Sequence, residues 1–205
     1  MQYWNKRNKG LAVCCAALLL LGGCSRMAPR PETRATEPAP APETLPPAYD
    51  KALVLMRSGD YASAIPVLQQ FSSERPDLAG PWLNLGIAFQ RTGQTEAALT
   101  ALQKAVELNP ANAAAHHQLG ILYREQGRFE AALAAYAQAL KLDQDYALAH
   151  RNVGILYDLY LQQPALALEH YRRYLALAGE PDKEVRGWVV DLERRTANAQ
   201  ARSPQ

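Results

Sequence analysis

Apolar residues return along this chain at helical spacing, and the helical pattern itself then recurs. Leu85, Gly86 and Phe89 share one helical face, and the small residues Gly86 and Ala98 leave room for two antiparallel helices to close up. Gly86, Gly120 and Gly154 stand 34 residues apart, as do Gly59, Gly93 and Gly127; Pro76 and Pro110 keep the interval, and so do Trp82, His116 and His150. A fixed period of this length, kept by several positions together, predicts a solenoid of stacked helix pairs. Gly93 and Gly127 fall where each first helix must stop, because glycine accepts the left-handed backbone that follows a helix end.

Aligned on the period, the repeats run near 45–78, 79–112, 113–146 and 147–181 within a body spanning 48–181. Beyond them, Val185, Trp188, Val189 and Leu192 lie at helical spacing with charges between them. A terminal repeat needs a cover with a polar outer face, so 182–198 is expected to be a capping helix with Trp188 as a packing residue. Residues 199–205 are expected to be a disordered tail.

The signature positions carry a resemblance. Trp82, Leu85, Gly86, Phe89, Ala98, Leu102, Ala105 and Pro110 fall where the tetratricopeptide repeat family places its characteristic residues. His116, Leu119, Gly120, Tyr123, Ala132, Tyr136 and Ala139 do so one repeat later, with Gln144 in the proline place. The first repeat keeps Gly59, Ala64, Leu68, Phe71 and Pro76. The fourth keeps His150, Val153, Gly154 and Tyr157, then aligns Ala167, Leu168, Tyr171 and Tyr174 only with one residue inserted near 162–164, where an irregular turn is expected. The resemblance implies an all-α, right-handed superhelix of about four hairpins plus the capping helix.

It also implies a concave groove lined by the first helix of each pair. Carried over by position, the groove residues are Leu83, Asn84, Ile87, Gln90, Arg91, His117, Gln118, Ile121, Arg124, Arg151, Asn152 and Ile155, with Asp158 at the end of its row. Asn84, Gln118 and Asn152 form a row of amides able to donate to and accept from a peptide backbone. The isoleucines beside them offer apolar contact, and Arg91, Arg124 and Arg151 attract carboxylates. The lysine, arginine and asparagine set of the family's carboxylate clamp is not reproduced.

One apolar run breaks the helical pattern. Behind Lys6, Arg7 and Lys9, residues Leu11 to Leu21 are uninterrupted and lead into Leu21-Gly22-Gly23-Cys24. The run is short for a bilayer span and has the flanks of a secretory signal. Its ending resembles the lipobox of bacterial lipoproteins, which implies cleavage of a 1–23 signal peptide and a lipid on Cys24. Ser25, where an aspartate would signal inner-membrane retention, implies the outer membrane with the body on the periplasmic face. Residues 24–47 carry seven of the 14 prolines and read as an extended tether.

Removal of 1–23 changes the chemistry. The formal charge moves from +2 to −1 as Lys6, Arg7 and Lys9 leave, so no cationic field points to nucleic acid. Cys14 and Cys15 leave too, and the mature chain has no thiol except the acylated one. No nucleophile elbow or phosphate-binding loop is present, and no histidine pair has the i, i+4 spacing of a helical metal site. The reading is therefore non-enzymatic, without metal or cofactor beyond the covalent lipid. The expected role is an outer-membrane scaffold holding envelope proteins in its groove, resembling in plan the pilotins of type IV pili and the assembly lipoproteins of tight-adherence pili. An adaptor for peptidoglycan enzymes and a self-associating homo-oligomer are the alternatives that the motifs leave open.

Overall fold

A computed structural model describes residues 46–180 and 182–202; the expected signal, Cys24 and nearly all of the tether, together with 203–205, lie outside the described residues. Helices pair in chain order. Helix α1 (Pro47–Arg57) packs on α2 (Tyr61–Glu74), α3 (Ala79–Arg91) on α4 (Thr95–Leu108), α5 (Ala113–Glu125) on α6 (Phe129–Leu142) and α7 (Ala147–Ile155) on α8 (Pro164–Leu177). The last helix, α9 (Lys183–Arg202), packs on α8. No strand occurs among the described residues, and the all-α solenoid that the period predicts is the fold observed.

The close approach within each pair follows from one small residue. An alanine methyl at position 86 would stand 2.6 Å from Leu102 Cγ, and at 120 or 154 it would stand 2.5 Å from the ring of Tyr136 or Tyr171. Those rings fill the inside of repeats three and four and are fully buried. The other glycine set closes the hairpins: Gly59, Gly93 and Gly127 have φ of +82°, +76° and +72°.

Ring nitrogens tie the second, third and fourth repeats to the turn before each. Trp82 Nε1 donates to the Pro76 carbonyl at 3.3 Å, and His116 Nε2 and His150 Nε2 stand 3.0 and 3.1 Å from the carbonyls of Pro110 and Gln144. A carbonyl only accepts, so both imidazoles carry their proton on Nε2. An N–H at the ring's far edge is what the indole and the two imidazoles share at this position.

The fourth hairpin departs from the others. Helix α7 runs into a π-helical turn, Leu156–Tyr160, and the left-handed position that glycine fills elsewhere is taken by Gln162 at φ +51°. One inserted residue widens the helix end, as π-turns do. Asp182 then caps α9, accepting from Val185 N at 3.0 Å and from the Tyr174 hydroxyl at 2.9 Å, which fastens the cover to α8. The helix continues to Arg202, beyond residue 198, because the alanine-rich sequence there favours helix.

Candidate interaction face

Helices α3, α5 and α7 present the positions expected to line a groove, and the structure separates them into three kinds. Four come together on one surface: Gln90, Arg91, Gln118 and Ile121, with Glu125, line a depression of about 340 Å³ between α3 and α5. Gln90 Nε2 donates to Glu125 Oε2 at 2.7 Å across its floor. Gln118 makes no side-chain hydrogen bond among the described residues, so its amide faces the depression with donors and acceptor open. Ile87, Ile121 and Ile155 are all partly buried and continue as a row. Counted by sequence with the inserted residue allowed for, the next position of that series is Val190 on α9, which is 66 % exposed.

A second kind is spent on holding repeats together. Asn84 Nδ2 donates to the Tyr49 hydroxyl at 2.6 Å, and Asn152 Nδ2 stands 2.7 Å from His117 Nε2. The two amides read as open to a ligand thus bind the preceding repeat, each through its donor. Leu83 packs on the hydrophobic core of the first two repeats. Arg91 is exposed and turns back, its guanidinium 5.7 Å from the centre of the Tyr61 ring.

The third kind is removed from the surface. His117 does not line a groove: it is 3 % exposed, with Nε2 accepting from Asn152 and Nδ1 facing the Tyr146 hydroxyl at 3.3 Å. The ring at position 117 packs against Tyr136 and Tyr146, and the same place one repeat earlier is held by the partly buried Leu83. Burial lowers its pKa to about 4, so the ring is neutral at ordinary pH. Arg124 is half-buried beside the hydroxyls of Tyr136 and Tyr160; burial pushes the Tyr136 phenol up to about 12, opposed by the neighbouring guanidinium. Arg151 is covered by α9, with its guanidinium 5.2 Å from the Trp188 ring centre, Nη2 3.5 Å from Glu184 and Nε 4.0 Å from Asp182. Asp158 is paired with Arg195 at 2.8 Å.

Sequence reasoning missed the partners: Tyr49, Glu125, Tyr146, Glu184 and Arg195. A signal exists for two of them, Tyr49 and Glu125, and for the pairing of His117 with Asn152. Tyr49–Asn84, Gln90–Glu125 and His117–Asn152 are each 35 residues apart, one more than the period. Neighbouring first helices meet at that offset, and these three polar pairs bond across it.

His150 and His170 stand with their Nδ1 atoms 3.0 Å apart, linking α7 to α8. Among the described residues no group of three or more His, Cys, Asp or Glu side chains is placed to hold a metal ion. None of the described helices is long and apolar enough to cross a membrane.

This is a helical-hairpin solenoid whose first helices share one partly apolar, partly amide face, the architecture of a protein-binding repeat. Two family models described as tetratricopeptide repeat match residues 77–145 and 117–182, and the chain belongs to the tetratricopeptide repeat family. Among solved structures, the chain is similar to pilF of Pseudomonas aeruginosa at 23% identity, with a TM-score of 0.66 over 74% of this chain and 68% of that one. It is similar to MamA 41-end from Desulfovibrio magneticus RS-1 at 18% identity, with a TM-score of 0.64 over 75% of this chain and 86% of that one. The first repeat domain of Spaghetti, bound to an HSP90 peptide, matches at 20% identity and TM-score 0.54 over 58% of this chain and 93% of that one. At these identities the likeness is one of fold. No curated protein matches the chain. Repeats of this family are scaffolds for protein and peptide partners, and that is the class of function the fold defines.

Proposed function

We propose that this chain is a non-enzymatic lipoprotein of the outer membrane, anchored through Cys24 and facing the periplasm, that holds a segment of an envelope protein on its first-helix face during assembly of a pilus-type machine. The observation that carries the scaffold reading is the meeting of Gln90, Gln118 and Ile121 around one depression beside the isoleucine row. An open amide next to apolar side chains grips a backbone without reading much sequence. The anchoring reading is supported by the basic, apolar and small-residue order that ends at Cys24. The pilus reading is supported by the resemblance in plan to pilotins and by the likeness in fold to pilF.

Cys24→Ser is expected to leave the protein unlipidated and lost from the membrane fraction; a protein still anchored would contradict the lipoprotein reading. For the partner, full-length protein is purified from envelopes beside an Ile87→Glu, Ile121→Glu variant. A secretin or pilus component retained by the native chain and lost by the variant is the expected result. Wall hydrolases or synthases in its place would overturn the pilus reading, and a second copy of this chain would make it a self-assembling protein.

A further inference from the structure

The fourth repeat brings together two histidines where the other repeats have at most one. By the period, the places of His150 and His170 are held by His116 and Ala135 in the third repeat and by Trp82 and Ala101 in the second. Tyr136 and Tyr171, which pack over Gly120 and Gly154 in the same way, fix the alignment of the second helices. His150 lies on α7 and His170 on α8, with ring centres 5.2 Å apart and Nδ1 atoms 3.0 Å apart, and both residues are partly exposed. The spacing rule for a metal site on one helix misses such a pair, because its nitrogens come from two helices.

The pair opens onto a cavity of about 530 Å³ that is lined also by Gln144, Glu169, Arg172 and Arg173. Arg173 is bonded to Asp145 and Arg172 to Glu193, so both guanidinium charges are met. Glu169 has no hydrogen bond or ion pair among the described residues, which leaves the cavity one uncompensated negative charge. His150 Nε2–H donates to the Gln144 carbonyl at 3.1 Å, so His150 Nδ1 carries a lone pair and accepts from His170 Nδ1–H. A bond from the far ring nitrogen to a carbonyl is how a metal-ligating histidine is held and oriented.

We infer that His150 Nδ1 and His170 Nδ1 are the two protein ligands of a tetragonal Cu(II) site between α7 and α8. No third His, Cys, Asp or Glu side chain among the described residues completes the set, so water holds the other positions. At metal–nitrogen bonds of about 2.0–2.1 Å, two nitrogens 3.0 Å apart subtend roughly 95° at the ion. That is a cis angle of tetragonal coordination and falls short of the tetrahedral angle that zinc adopts. The χ2 torsion of histidine is broad, so a small turn of each ring aims both lone pairs at one ion. The bond between the rings is given up: the proton on His170 Nδ1 passes through solvent to Nε2 of the same ring, which stays neutral, and the ion takes both Nδ1 lone pairs. Imidazole ligands and the order of divalent affinities favour Cu(II) over Ni(II) and Zn(II). The site shares no residue with the depression between α3 and α5, so either can fail alone.

The test is a titration of the full-length chain, stripped of metal, with Cu(II), followed by calorimetry and by electron paramagnetic resonance. One ion per chain is expected, with an axial spectrum split by two imidazole nitrogens, and Zn(II) is expected to bind more weakly. His150→Gln and His170→Gln are each expected to weaken binding by more than the roughly tenfold that loss of an outer partner costs, whereas His116→Gln leaves it unchanged. The spectrum of the native chain requires no variant to fold, and thermal unfolding checks that the variants do. Absence of binding, a spectrum with one imidazole nitrogen or none, or an affinity that survives either substitution would each overturn the site.

Discussion

A buried histidine is the residue on which stability depends most visibly. His117 is neutral in the fold because burial depresses its pKa to about 4 from an ordinary value of 6.5. The unfolded chain takes up a proton there first as pH falls. The contribution of this group is therefore complete above about pH 6.5 and is lost as pH falls through that range toward 4, by roughly 3 kcal/mol. His170 is lowered in the same direction, by burial and by His150 beside it, and adds to the loss. Chemical denaturation from pH 7.5 down to pH 4 is expected to show falling stability, and His117→Gln is expected to flatten the profile. An unchanged profile in that variant would place the titrating group elsewhere. Nothing in the sequence marks this histidine as buried, since its place in the previous repeat is held by Leu83 and in the next by Arg151. Its partner Asn152 becomes legible only through the offset of 35.

At the scale of the element, the hairpins follow from the 34-residue beat because the beat records where helices must stop and where they must touch. Three turns close with glycine at positive φ, and the fourth does not. Gln162 holds φ +51° after the π-turn, a conformation that costs an L-residue about 1 kcal/mol. Gln162→Gly is expected to raise stability by about that amount in thermal or urea unfolding; a loss would mean that the glutamine side chain itself holds the turn. An irregular turn near 162–164 is readable from the one-residue misfit of the fourth repeat, but the π-turn is not, since an insertion can loop out or be taken into the helix. The capping helix is readable from Val185, Trp188, Val189 and Leu192, of which Val185, Val189 and Leu192 are buried. Its hold on Arg151 is not, because a charge in the groove pattern reads as available for a ligand whatever lies against it.

For the whole molecule, fold and site were unequally legible. The fold rests on small residues and rings repeated in each hairpin, which sequence displays directly. The site rests on which polar groups remain open after the repeats have bonded to one another, and that depends on contacts 35 residues away. Asn84, Asn152 and Arg151 are occupied by neighbours, whereas the open amide of Gln118 and Ile121 line one depression with Gln90, bonded to Glu125, and Arg91, turned toward Tyr61. The surface expected to hold a partner is thus the middle of the solenoid and the isoleucine row.

Photo-crosslinking in intact envelopes tests this most directly, with a reactive residue at position 87 or 121 on the first-helix face and a control at the exposed Gln103 on α4. Adducts to one envelope protein from positions 87 and 121 and none from 103 are the predicted result. Equal labelling from all three positions, or none from 87 and 121, would contradict a scaffold that works through its first helices.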